Sequence, residues 1–331
     1  MSGSALPLSV PKGTIYRGQA NFAGLVQVPL RLSGYTFPQH MNFSGVKFQQ
    51  AVDFRETTFE QGADFKDATF EHEAIFNQAH FKGEAHFDRT TFKHIADFER
   101  ANFDKMARFW GATFNEWANF RCATFSHVAV FVNAKTKSMT SFDDASFRHQ
   151  PPFFDGAELH EGTTWFGVTW PPIPNTRDDA RETVRAYERL KLEMDRLKKH
   201  EDELNFFALE LQARRVLAGK WSSLTGWAIW AYGGLSDYGR SVPCPLFLLL
   251  VTALAGADAL SGYGGLGYGR ALGLSAANTL GVFNFRQAFF AADEIAKLPG
   301  WLQVVSAVET IFGALLLFLV GLGLRNAFRL R

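Results

Sequence analysis

From Phe43 to Phe131, phenylalanine recurs at intervals of 5, 6, 5, 6 without a break. The unit is therefore an 11-residue repeat with two Phe, copied eight times. The residue two before each Phe is nearly as regular. Alanine holds it at twelve of the seventeen places, the exceptions being Met41, Val46, Val52, Thr57 and Thr90. Such a spacing would smear around a helix of 3.6 residues per turn. The polar residues between units break the period of two that a long strand needs. A short extended piece that buries Phe and Ala, then a corner, then another short piece fits instead. One such unit cannot bury its apolar face alone, so units stack. The expected core is Phe54, Phe59, Phe65, Phe70, Phe76, Phe81, Phe87, Phe92, Phe98, Phe103, Phe109, Phe114, Phe120 and Phe125.

Units such as Ala63-Asp64-Phe65, Ala68-Thr69-Phe70, Ala101-Asn102-Phe103 and Ala118-Asn119-Phe120 resemble the bacterial pentapeptide-repeat family in its Phe-centred form. The resemblance implies a right-handed, quadrilateral β-helix with four units per coil. This chain inserts one residue in every second unit, so a coil of four units takes 22 residues and has two widened corners. Phe54, Phe76, Phe98 and Phe120 should then stack in one column, and Phe65, Phe87, Phe109 and Phe131 in another. Thr69, Thr91 and Thr113 should form an outward ladder, with coils ~4.8 Å apart.

The pattern frays at both ends. Leu32 and Phe37 keep the spacing upstream. Downstream, residues 132–141 lack a central apolar residue, and units around Leu159, Trp165 and Trp170 are atypical, as terminal units are. The expected division is a tail at 1–19, the β-helix at 20–170, and a Pro-rich linker at 171–176. Thr176, with Asp179 three residues on, is a capping-box signature. It opens an amphipathic helical neck at 177–218 whose apolar stripe is Ala180, Val184, Tyr187, Leu190, Met194 and Leu197. The stripe is interrupted at Lys198–Glu203. That favours a helix or helix pair packed on the end of the β-helix over a self-associating coiled coil.

Two apolar runs follow, at 242–260 and 302–324, each near the ~20 residues that cross a bilayer. An aromatic segment at 219–241, with Trp221, Trp227, Trp230 and Tyr232, suits the membrane interface. Together they predict a two-span domain at 242–331 with a loop at 261–301. Arg214, Arg215, Lys220 and Arg240 precede the first run, and Arg325, Arg329 and Arg331 end the second. The loop between them carries only Arg270, Arg286 and Lys297 in its length. The positive-inside bias places both ends in the cytoplasm. Met1–Gly13 lacks the basic and apolar regions of a cleavable signal peptide. The expected location is thus the bacterial inner membrane, with the lipid bilayer as one partner. Ser236-Asp237-Tyr238-Gly239-Arg240-Ser241 and residues Gly321–Arg329 also resemble a recurring tail of membrane-bound pentapeptide-repeat proteins, some of which carry a two-span, potassium-channel-like module.

In a channel reading, 270–283 would be a pore helix and turn, with Thr279 and Gly281 in the place of a filter. Val282-Phe283 replaces the Tyr-Gly that a potassium filter requires, and the Gly-Tyr-Gly triplets at 262–264 and 267–269 precede the helix. Potassium selectivity is therefore not expected. Asp258 and Glu309 are acids within the apolar runs, which are functional candidates by default. They would ring a cation path in an oligomer, or else sit at the interface and bond a neighbouring helix respectively; the second is favoured. Ala307, Ala314 and Gly321, seven apart, form a small-residue stripe suited to helix pairing within or between chains.

The formal charge is +1, and the repeat block is near neutral, so no nucleic-acid partner or nucleic-acid mimicry is expected. Cys122 and Cys244 form no metal spacing and read as free thiols. Eight of the nine histidines lie in the first half, with His80 and His86 just before a Phe on the outward surface. No catalytic constellation, cofactor motif or metal spacing stands out. The expectation is a non-enzymatic, membrane-anchored scaffold whose β-helix presents flat faces to an unknown protein partner. An oligomeric, two-span, ion-channel-like protein with a cytosolic β-helix is the alternative.

Overall fold

The computed structural model describes Ile15 and residues 24–26, 29–219, 222–286, 290 and 298–329. Apart from Ile15, the expected tail at 1–19 lies outside the described residues, as do Lys220, Trp221, Lys297 and Arg331. The chain forms two compact units, residues 1–214 and 215–331.

The first unit contains a β-solenoid of four parallel sheets, with six, seven, six and five two-residue strands. Every paired strand from Leu25 to Phe147 meets the residue 22 positions away, as in Thr69↔Thr91↔Thr113. Near the end the offset becomes 23, in Thr140↔Thr163 and Lys135↔Glu158. The extra residue falls beside Pro151-Pro152. Phe54, Phe76, Phe98 and Phe120 stack with ring centroids 4.9, 4.8 and 5.0 Å apart. The Phe65, Phe87, Phe109 and Phe131 column runs at 4.9, 4.9 and 4.8 Å. Residues 11 apart meet edge to face across the coil instead, as Phe76 and Phe87 do at 86°. Both geometries suit the ring quadrupole.

The alternation of 5 and 6 has a backbone cause. Residues with positive φ recur every 11 positions, at Gly34, Gly45, Glu56, Asp67, Gln78, Arg89, Arg100, Gly111, Cys122, Asn133 and Asp144. Each sits in a five-residue corner, where one left-handed residue closes a tight turn. The six-residue corners are wider bends. The Asp or Asn before alternate Phe residues accepts from the main-chain N–H two residues on, as Asp64 does from Lys66 at 2.8 Å and Asn119 from Arg121 at 3.1 Å. These Asx turns account for the Asp or Asn before Phe43, Phe54, Phe65, Phe98 and Phe120, all at tight corners. Thr57 and Thr90, which break the alanine rule, are fully buried. Their hydroxyls donate to the carbonyls of Leu32 and Phe65 at 2.8 and 2.7 Å.

At Thr136 a smaller residue ends the Phe48–Phe70–Phe92–Phe114 column. Trp165 and Trp170 then stack on Phe142 and Phe147. Helices α1 (Arg177–Arg196) and α2 (His200–Leu217) follow as a pair. Thr176 caps α1, accepting from the Asp179 N–H at 3.2 Å. Tyr187, Leu190, Met194 and Phe206 join the solenoid core, with Phe206 edge-on to Trp165. The pair thus covers the last coil with the face that the apolar stripe marked out.

The second unit holds α3 (Leu224–Ser236), α4 (Pro243–Gly264), α5 (Tyr268–Thr279), a 3-10 turn (Gly281–Phe283) and α6 (Gly300–Arg329). The aromatic segment is largely helical, started by Ser223, which accepts from the Gly226 N–H at 3.0 Å. The first half of the expected 261–301 loop is largely helical: α4 runs on to Gly264, and α5 fills 268–279. The two tail motifs touch. Asn326 donates to the Gly239 carbonyl at 3.0 Å, and Gly323 packs against Ser241 and Val242.

Candidate functional site

Side chains that flank the stacked Phe65, Phe87 and Phe109 build a cleft of about 380 Å³ on one solenoid face. Asp64, His86 and Arg108 lie side by side through strand register, and Lys66, Asp88 and Trp110 stand two residues further along each coil. Asp88 is a buried carboxylate, 4% exposed. It lies 3.1 Å from Arg108 Nη2 and 3.6 Å from His86 Nδ1, and its Oδ1 has no aligned hydrogen-bond donor among the described residues. The Asp88 carboxylate raises the His86 pKa above its usual 6.5, against the opposing effect of burial. Arg89 forks onto Asp67 with two bonds of 2.6 Å and lies over the Trp110 ring at 5.6 Å. Charges of both signs, one aromatic face and one buried anion make a surface for polar side chains. No nucleophile-and-base pair occurs in it.

In the helical unit, Glu309 is buried at 5% exposure and faces α5. It accepts from Ser275 Oγ at 2.7 Å and from Asn278 Nδ2 at 3.0 Å. Asp258, by contrast, is exposed on α4, so the two acids do not share a face. Thr279 and Gly281 pack beside the same contact: the Thr279 carbonyl lies against Gly313, and Gly281 against Thr310. The Thr279 hydroxyl donates to the Ser275 carbonyl, and 281–283 is a helical turn rather than a row of converging carbonyls. The inward face of α6 is Leu302, Ser306, Glu309, Gly313, Leu316, Leu319, Gly323 and Asn326. Of the expected small-residue stripe, Ala307 and Gly321 are exposed and Ala314 is half-buried, so that stripe is not the internal packing face.

One cluster escaped the sequence pattern. Ligand atoms of Asp195, His200 and Glu203 lie within 4.8 Å of one another at the α1–α2 turn, and His200 Nδ1 is 3.1 Å from Glu203. The spacing D-x4-H-x2-E crosses a helix break and matches no common metal signature. Among the described residues this is the sole group with such geometry, and all three are only half-buried.

A family profile for pentapeptide repeats (9 copies) matches residues 43–91 and 76–121. No curated protein and no solved structure shows significant similarity to the chain.

Proposed function

On the premise that the chain is a pentapeptide-repeat β-solenoid protein, we propose that it is a non-enzymatic scaffold held at the bacterial inner membrane. The observation that carries this reading is an inside-out distribution of polarity on α4 and α6. Both are long and apolar enough to cross a bilayer, yet only 28% of the apolar stretch of each is buried. Phe247, Leu250, Ile311 and Phe318 point outward at 64, 57, 72 and 66% exposure, while Ser306, Glu309 and Asn326 point inward. In water such a surface is an aggregation liability. In lipid it is the favoured arrangement, because polar groups must be satisfied inside. The bias of Arg240, Arg325 and Arg329 over Arg270 and Arg286 supports cytoplasmic ends. The solenoid then presents its faces to a protein partner in the cytosol, with the Asp88 cleft as the docking point.

Membrane fractionation of cells making the full chain tests the anchor. Retention in the pellet after alkaline carbonate washing is expected. Recovery as a monodisperse species without detergent refutes it. A photo-crosslinker at Trp110 should trap a discrete partner, and one at the distant αL corner Arg100 should not.

The oligomeric channel-like reading keeps one supporting observation: α5, with 12 residues, is too short to span and packs against both long helices. Cation flux in liposomes that is lost in Glu309→Gln would favour it over the scaffold.

A further inference from the structure

We propose that Glu309, Asn278, Ser306 and Ser275 form a dehydrated binding site for one monovalent cation inside the helical unit. The inference is independent of membrane anchoring and goes beyond the scaffold reading.

Three helices close around the Glu309 carboxylate. α5 supplies Ser275 Oγ and Asn278 Nδ2 as donors, at 2.7 and 3.0 Å. α4 supplies Gly256: a Cβ there would fall on Glu309 Oε1 and crowd Ser275 Oγ, so glycine alone leaves room for the carboxylate. No cationic side chain pairs with Glu309 among the described residues, and a buried carboxylate held only by neutral donors is incompletely compensated.

Two further buried oxygens on the inward faces of α5 and α6 lack hydrogen-bond partners among the described residues. Asn278 is fully buried, and its Oδ1 has no hydrogen-bond partner among the described residues. Ser306 is 1% exposed, and its Oγ is likewise unpartnered. Ser306 precedes Glu309 by one helical turn on the inward face of α6, and Asn278 follows Ser275 by one turn on α5. A carboxylate, an amide carbonyl and hydroxyl oxygens, with no nitrogen or sulfur donor, are a hard-oxygen set that suits an alkali ion over a transition metal. A single carboxylate matches a single positive charge. The other acid of the spans, Asp258, is exposed, so a divalent ion would leave net charge buried. A proton on Glu309 offers one new donor and leaves another oxygen stranded, whereas an ion contacts several at once.

The test uses the full chain in mild detergent and sodium as the probe. Equilibrium dialysis of radioactive sodium against choline chloride at constant ionic strength should show saturable uptake of one ion per chain. Glu309→Gln should abolish it, and Ser306→Ala and Asn278→Ala should each weaken it about tenfold or more. Saturating sodium should raise the melting midpoint of the wild type by roughly 5 °C and leave Glu309→Gln unmoved. A variant that elutes aggregated is set aside, and Ser306→Ala, which deletes one oxygen without changing charge, then decides. Absence of saturable sodium uptake overturns the proposal. So does uptake unchanged in Ser306→Ala and Asn278→Ala, or a carboxyl that responds to protons but to no alkali ion.

Discussion

Glu193 Oε1 accepts a hydrogen bond from the main-chain N–H of Leu159 at 3.2 Å. The final coil of a solenoid exposes a row of unpaired backbone groups, which invites edge-to-edge association. Here α1 and the turn that follows it cover that row with charged side chains. Arg196 bonds Glu193 and donates to the Leu159 carbonyl at 3.0 Å, and Lys199 donates to the Thr163 carbonyl.

Glu193→Ala should therefore destabilise the solenoid by about 1–3 kcal/mol, the penalty for stranding the buried Leu159 N–H. Thermal unfolding followed by circular dichroism measures it. A loss below about 0.5 kcal/mol would mean the helix pair covers the end through Tyr187 and Phe206 alone.

Phe98 is fully buried, with partners above and below at 4.8 and 5.0 Å. Phe98→Ala should cost about 3–5 kcal/mol. Ala101→Val, an overpacking change in the same coil, should cost about 1–3 kcal/mol. Chemical denaturation of the full chain should show both as a shift in midpoint, with the Phe change larger.

Arg100 sits in a tight corner at φ 56°. The same corner position is glycine at Gly45 and Gly111. Arg100→Gly should raise stability by up to about 1 kcal/mol, since relief of left-handed strain slightly exceeds glycine's extra chain entropy. A midpoint that falls would show that the side chain contributes more than its backbone strain takes away.

His86 has a raised pKa in the folded chain, chiefly through Asp88. Its contribution to stability is fully present below the unfolded value of 6.5 and fades as pH rises through the higher folded value. His86→Gln should flatten that part of the profile. Unfolding midpoints measured from mildly acidic to mildly alkaline buffer test this; equal slopes in the two proteins would refute it.

Gly239 has φ 80°, and a Cβ there would crowd Tyr232 and Asn326. Gly239→Ala should destabilise the helical unit by about 1–3 kcal/mol through strain and loss of the Asn326 bond. Asn326→Ala should lose less, because it leaves the backbone free. Limited proteolysis in detergent ranks the two.

The repeat made a stacked solenoid legible in the sequence, with its four sides implied by the family resemblance, because a two-residue strand reads only its neighbours one coil away. Local rules therefore propagate: Phe every 5 or 6 residues, alanine two before, and at several tight corners an Asp or Asn just ahead of the Phe. The same locality hid the corners' left-handed residues, since Glu56, Gln78 and Arg100 carry no glycine signal and are held there by the pairing on either side. The Thr176 cap and the apolar stripe of α1 were legible for the same reason, being matters of a few neighbouring residues. The Asp88 cleft, the Asp195–His200–Glu203 trio and the partners of Glu309 were not. Each joins side chains separated by a full coil or a helix break, and composition carries no record of such meetings. Glu309 stood out in the sequence as an acid in an apolar run. Only packing decided that it faces Ser275, Asn278 and Gly256 rather than Asp258, because the rotation of a nearly uniform apolar helix is set by the neighbours it can approach, not by its own residues.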